Sequence, residues 1–271
     1  MIWLNGTIMD EDEARIGIAD RGFLLGDGLF ETMRFEAGAL RRWDRHRARL
    51  QEGAAALGIA FEADLDVPGI AGELTRRNGL EAATIRLTLT RGEGGRGLEA
   101  ADTRPNLVIT ASPLQRPAAG PHLITLNAPR RAPLTLAAHY KMIGYGDNIL
   151  ARRMARTRGG DMAVMLSPDG RIACADSANL FWITGRTVYT PSLDTGALAG
   201  TTRAAILEAF DSRGLHVEQD HFRQESVATA ETVIVTNATL GAVPAVMLDG
   251  RPLKTDTALA QLICDIERDA R

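Results

Sequence analysis

The chain contains almost no lysine. Among 271 residues and 31 basic side chains it has two, Lys141 and Lys254; the other 29 are arginines. Cysteine is as scarce. Cys174 and Cys264 lie far apart without the spacing of a metal site, which argues against a disulfide framework or a zinc centre, and no metal is expected. The net charge is −3, and the pI of about 6.0 offers no basic footprint for nucleic acid or an anionic membrane. The one basic run, Arg41-Arg42-Trp43-Asp44-Arg45-His46-Arg47, reads as a solvated helix face. No uninterrupted apolar run reaches membrane-spanning length, and Met1-Ile2-Trp3-Leu4-Asn5-Gly6 lacks the basic and apolar regions of a signal peptide. The expectation is a soluble, cytoplasmic protein.

What is present is core. A composition of 45% hydrophobic residues supplies a large apolar interior, enough for one or two domains. Residues 2–4 followed by Asn5-Gly6 read as a strand and a tight turn. Residues 29–35, 84–90 and 107–111 read as strands, the last two as an antiparallel pair. Helices are predicted over 45–57, stopped by Gly58, and over 63–78. A glycine-rich loop, 91–97, follows the second of these strands. Residues 112–121 contain Pro113, Pro117 and Pro121. Their central part, 114–121, is taken as a linker between an N-terminal domain over 1–113 and a C-terminal domain over 122–271. Beyond it, strands are predicted near 122–127, 163–166, 180–183, 187–190 and 232–236, and helices over 147–157, 202–212 and 257–268. Strands cluster between helices rather than alternating with them, a pattern of the α+β class.

Three segments are candidates for chemistry. Lys141 is one of the two amines in an arginine-rich chain, and an amine can form a Schiff base where a guanidinium cannot. It sits in His139-Tyr140-Lys141-Met142-Ile143-Gly144-Tyr145, which reads as a strand end, a glycine turn and a helix start. A surface lysine is the plain alternative. Gly200-Thr201-Thr202-Arg203 offers helix N-terminal amides and hydroxyls to an anion such as phosphate, although any capped helix looks similar. Residues 236–241, Thr236-Asn237-Ala238-Thr239-Leu240-Gly241, form a second small, polar segment after a strand.

Taken in order, several blocks resemble the class IV (fold type IV) pyridoxal-phosphate enzymes: D-amino-acid and branched-chain aminotransferases and aminodeoxychorismate lyase. They are Asp20-Arg21-Gly22-Phe23-Leu24-Leu25-Gly26-Asp27-Gly28-Leu29-Phe30-Glu31-Thr32, His46-x-x-Arg49-Leu50, the 91–97 loop and the Lys141 segment. Ser177-Ala178-Asn179-Leu180-Phe181-Trp182, Tyr189-Thr190-Pro191, Gly200-Thr201-Thr202-Arg203 and residues 236–244 complete the set. The resemblance implies a small N-terminal α/β domain and a larger C-terminal domain with a barrel-like sheet. It implies pyridoxal 5'-phosphate (PLP) between them, amino and keto acid substrates, and a homodimer. Lys141 resembles the Schiff-base lysine and Arg49 the phosphate-binding arginine. Thr201 and Thr202 match the phosphate turn, with Asn237 or Thr239 completing it. Tyr145 falls beside the cofactor ring, and Asn179 in the Asn-x-Phe element of the cofactor site. Phe30, Arg91 and Arg96 fall where substrate is bound, the two arginines flanking the loop glycines with guanidinium forks suited to carboxylates.

One position departs from the family. A glutamate normally stands five residues before that asparagine and pairs with the pyridine nitrogen; here Cys174 stands there. A thiolate at Cys174, or Asp176 two residues on, are the possible substitutes. The resemblance implies transamination of amino acids and 2-oxo acids, with the lyase reaction releasing pyruvate and 4-aminobenzoate as the alternative. A PLP-binding protein made catalytically weak by Cys174 is a third reading, from outside the enzymes proper.

Overall fold

The computed structural model describes residues 1–62, 64–94, 97–99 and 103–269. The chain forms two compact units, Met1–Gln115 with Tyr140–Gly144, and Arg116–His139 with Tyr145–Arg271. The five residues around Lys141 thus belong to the first unit, although most of their flanking sequence belongs to the second.

The first unit contains β1 (Ile2–Leu4), β2 (Thr7–Met9), α1 (Arg21–Leu25), β3 (Gly28–Glu36), β4 (Ala39–Leu40), α2 (Trp43–Leu57), α3 (Val67–Arg77), β5 (Ala83–Glu93) and β6 (Arg104–Pro113). The strands form one antiparallel sheet in the order β2-β1-β6-β5-β3-β4. Asn5 and Gly6 both take positive φ, as a two-residue hairpin turn requires. Alternation along β3 and β5 sends Leu29, Met33, Phe35, Ile85, Leu87 and Leu89 to one face, where they meet Leu50 and Ala54 of α2 and Ala71 and Leu74 of α3. The predicted second helix begins later than expected, at Val67. Asp66 caps it by accepting from Gly69 N (2.9 Å), and a proline follows within the first turn, where its missing N–H costs nothing. The predicted loop also begins later, because β5 continues through Arg91 to Glu93.

The second unit contains β7 (His122–Leu126), α4 (Leu136–His139), α5 (Gly146–Thr157), β8 (Met162–Leu166), β9 (Ile172–Ala175), β10 (Asn179–Thr184), β11 (Thr187–Pro191), α6 (Thr201–Asp211), β12 (Val217–Asp220), α7 (Gln224–Ala228), β13 (Thr232–Asn237), β14 (Gly241–Pro244), β15 (Met247–Leu248), β16 (Arg251–Pro252) and α8 (Ala258–Asp269). They make two five-stranded sheets, β12-β11-β10-β13-β14 and β16-β15-β7-β8-β9. Leu123, Val164 and Leu166 from one sheet pack with Leu180, Trp182, Val233 and Val235 from the other, so the sheets enclose a shared apolar interior in a barrel-like way. Outside it, α6 and α8 cover the first sheet through Phe181, Ile206, Phe210, Ile234 and Ile263, and α5 covers the second through Ala151 and Ala155. This is an α+β architecture with the barrel-like C-terminal sheet that the resemblance implied. No helix among the described residues is long and apolar enough to cross a membrane.

Candidate active site

In the first unit Lys141 is held as an addition to the edge of β3. Phe30 N donates to Lys141 O (2.9 Å), Ile143 N donates to Gly28 O (3.1 Å), and Leu29 pairs with Met142 as an antiparallel bridge. The Lys141 Nζ lies 4.1 Å from the centroid of the Phe30 ring, and the Arg86 guanidinium carbon lies 4.0 Å from the same centroid. The π-face attracts both cations. Phe30 and Arg86 share the sheet face turned away from α2 and α3, because Phe30 pairs with Thr88 and Thr32 with Arg86. Sequence reasoning passed over Arg86; an arginine at one of the polar positions of the 84–90 alternation was its only signal.

Glu31, next along β3, points the other way, into the helix-covered face. It is 1% exposed and accepts from Arg49 Nε (2.8 Å) and Nη2 (2.7 Å), with His46 Nδ1 2.6 Å away. Burial raises the Glu31 pKa, but the Arg49 charge and the His46 and Arg49 hydrogen bonds outweigh it and hold the carboxyl at about 2. Burial also pushes the His46 imidazole below its usual range, against the pull of Glu31. Arg49, expected at a phosphate, therefore places two of its donors on Glu31. The run 41–47 is not the solvated face that its composition suggested. Arg42, the N-cap of α2, and His46, turned toward Glu31 of the sheet, are buried.

Arg91 is equally engaged. It donates to Asp27 (Nε, 2.7 Å) and to the last carbonyls of α2, Leu57 O (2.6 Å) and Gly58 O (3.0 Å). There it neutralises the negative end of the helix. Arg96 lies outside the described residues. Arg21, buried, grips the far end of that loop through Gly97 O (2.9 Å) and Leu98 O (3.1 Å).

In the second unit the start of α6 is open. Its N-cap, Gly200, supplies no side-chain cap, and a Cβ there would stand 1.9 Å from Asn179 Oδ1. Asn179 Nδ2 in turn holds Leu198 O (2.9 Å), fixing the loop that leads into the helix. Thr201 and Thr202 are buried at its first turn, and the Thr202 hydroxyl has no hydrogen-bond partner. The Thr236 hydroxyl, fully buried, lacks one as well. Asn179 is the cross-strand partner of Thr236, and both lie on the α6 side of the sheet. Thr236 was named in the sequence only as the first residue of the 236–241 segment and not as a cofactor residue; a threonine ending the apolar run of β13 is its signal. Asn237 Oδ1 accepts from Thr239 N (3.0 Å), Thr239 Oγ1 (3.1 Å) and Leu240 N (2.7 Å). Those two residues therefore shape the adjoining turn. Tyr145 is half-buried at the N-cap of α5. Unpartnered buried hydroxyls beside an uncapped helix N-terminus and a glycine without room for a side chain are what a phosphate group needs.

A family model described as amino-transferase class IV matches residues 28–247. The chain belongs to the class IV amino-transferases. A putative branched-chain-amino-acid aminotransferase of Methanocaldococcus jannaschii is 30% identical over 256 residues, covering 92% of this chain and 88% of that protein. An aminodeoxychorismate lyase of Bacillus subtilis is 31% identical over 256 residues, covering 90% and 85%. A solved structure of a putative 4-amino-4-deoxychorismate lyase from Legionella pneumophila superposes with a TM-score of 0.90 at 26% identity, covering 97% of this chain and 98% of that one. Class IV amino-transferases are PLP-dependent enzymes, and so is this one.

For this class IV amino-transferase, the structure describes the surroundings of Cys174. The thiol is buried and its pKa is pushed up by that burial, against a smaller downward pull from Arg131, so it stays neutral. Asp176 is buried and already engaged. It accepts from Arg152 Nε (2.8 Å) and Nη2 and from Ala163 N (2.8 Å). The charged group that acts on Cys174 with the opposite sign to a carboxylate is Arg131, which sequence reasoning missed.

Proposed function

We propose that this enzyme is an amino-acid aminotransferase that binds PLP through Lys141 and receives the cofactor's phosphate at the start of α6. The observation that carries the reading is the pair of buried hydroxyls, Thr202 and Thr236, without partners. Thr201 and the first amides of α6 join them, and Arg49 supplies positive charge. Bound PLP draws electron density from the substrate's α-carbon and so acidifies its hydrogen. The Lys141 Nζ takes that proton and returns it. Phe30 seats the amine between turnovers, and Arg86, against the same ring, is suited to a substrate carboxylate. Tyr145 and Asn179 border the cofactor, and Asn237 and Thr239 hold the neighbouring turn in shape.

Lyase action on aminodeoxychorismate is the second reading, favoured by the Bacillus and Legionella relatives. It shares the Lys141 proton step. Nothing supports the third reading, a weakly catalytic PLP binder, since the named relatives are enzymes. The paired assay is direct. Amino acids without an acceptor should bleach the PLP-loaded protein to its pyridoxamine form, and an added 2-oxo acid should restore it. Release of pyruvate from aminodeoxychorismate without any acceptor would instead establish the lyase. Lys141→Ala should abolish both reactions and the visible band; a band that persists refutes the Lys141 assignment.

We also read the chain as a homodimer. Ile18, Phe23, Leu24, Leu25 and Leu98 are exposed on the first unit while Arg21 and Asp20 pin their backbone, an apolar surface suited to a second copy. Light scattering should give twice the chain mass. Two free cysteines suit a reducing compartment such as the cytoplasm.

A further inference from the structure

Arg131 lies between β7 and α4, and the residue is 9% exposed. Its backbone N donates to Leu166 O at the end of β8 (2.8 Å). Its side chain reaches two carbonyls from different stretches of chain. The Nη2 donates to Ala137 O (2.7 Å), in the short α4 four residues before Lys141. The Nε donates to Gly196 O (3.2 Å), at the start of the loop that enters α6. Gly196 has φ +95, and a Cβ there would stand 2.8 Å from Arg131 O, so the loop is packed directly on the arginine's backbone. Ala197, the next residue, packs with Ala173 and Cys174.

All of these partners are neutral. Arg131 makes no ion pair among the described residues, and the ionisable side chain that feels its charge most plainly, Cys174, is an un-ionised thiol. A buried guanidinium without a counter-charge is costly, and an apolar side chain would be cheaper if packing were all that mattered. The position instead asks for a planar fork that can satisfy two carbonyls in different directions, which a lysine cannot do.

We propose that Arg131 is a positioning residue for the cofactor site, one buried cation that ties α4 to the loop that opens α6. Asn179 holds the same loop two residues further on, at Leu198 O, and Phe30 N holds the Lys141 carbonyl. With Arg131 in place, α4 is held at Ala137 O and the 196–200 loop at two points. Its unpaired charge also makes the entry to α6 more attractive to a dianion. The inference rests on the reading of α6 as the phosphate site.

Two variants test it, Arg131→Met, which removes the charge and both bonds, and Arg131→Lys, which keeps the charge but can reach one carbonyl. Calorimetry on the cofactor-free protein measures the dissociation constant for inorganic phosphate. Spectral titration of the PLP-loaded protein measures the pH midpoint of its visible band. Arg131→Met should weaken phosphate binding about tenfold or more and displace the midpoint. Arg131→Lys should recover much of the phosphate affinity and leave the midpoint displaced. Wild-type values for both readouts in a folded Arg131→Met protein overturn the proposal. If that variant does not fold, wild-type values for both in Arg131→Lys overturn it. Wild-type protein that binds phosphate but takes up no PLP would defeat the cofactor reading, and the phosphate comparison would still judge Arg131.

Discussion

Thr202 and Thr236 lead to a prediction in which stability and binding move in opposite directions. Each carries a buried hydroxyl without a hydrogen-bond partner. Holding such a group out of water unpaired costs about 1–3 kcal/mol. Valine has the same branched shape without the hydroxyl, so Thr202→Val or Thr236→Val should stabilise the cofactor-free protein. A gain of about 1–2 kcal/mol corresponds to a melting temperature roughly 2–6 °C higher in a protein of this size. For the cofactor the sign reverses. A hydrogen bond to a charged phosphate oxygen contributes about 1.5–3 kcal/mol, so each valine should raise the dissociation constant for PLP or inorganic phosphate roughly ten- to a hundredfold. Thermal melts of the cofactor-free protein and calorimetric phosphate titrations measure the two quantities on the same sample. A Thr236→Val protein that melts lower than wild type and binds phosphate equally well would refute the reasoning, because the hydroxyl would then have a structural partner and no ligand.

Further expectations concern the first unit. Glu31→Gln leaves Arg49 and His46 facing a neutral amide and should cost about 3–5 kcal/mol in urea unfolding. Glu31 has its pKa lowered from 4.5 to about 2 in the folded chain. Its contribution is therefore complete above about pH 4.5 and is lost as pH falls toward 2; a wild-type acid limb identical to that of Glu31→Gln would exclude this origin. The lowered His46 pKa acts in the same direction at higher pH. Below its ordinary 6.5 the unfolded chain binds the extra proton, so stability should rise with pH up to that value, read as the urea midpoint at successive pH values. Arg91→Met removes the carbonyl contacts at the end of α2 and the Asp27 pair, and should lower stability by about 1–3 kcal/mol in the same assay; an unchanged urea midpoint would show that these contacts are dispensable.

Much of the fold was open to reading because its signals are local. The alternation of 84–90 is a property of a strand covered on one face, the apolar run 107–111 pairs with it, and Gly58 ends α2 through its own left-handed backbone, φ +62. Where boundaries moved, another local feature decided: Asp66 and Pro68 set the start of α3, and Arg91 stayed in the strand because the antiparallel ladder continues past Thr90, with a bulge, to Glu93. The site was legible as a set of residue types in order. Lys141, Thr201 and Thr202 stood out because an isolated amine and a small polar helix start are chemically distinctive wherever they fold. Arg86, Arg131 and Thr236 did not, since an arginine or threonine within an ordinary segment carries no sign of what it will face.

By itself, the sequence determined the class of this protein: its α+β character and its membership of a PLP-dependent family. Charge partners were decided only by the tertiary structure. It set Arg49 on Glu31, gave Arg91 to Asp27 and the end of α2, buried His46 in a run that looked solvated, and put Arg131 as well as Asp176 in electrostatic reach of Cys174. The physical reason is range. Strand alternation and helix caps arise from neighbours along the chain, whereas a buried charge is defined by groups tens of residues away, which meet only once the sheets have formed.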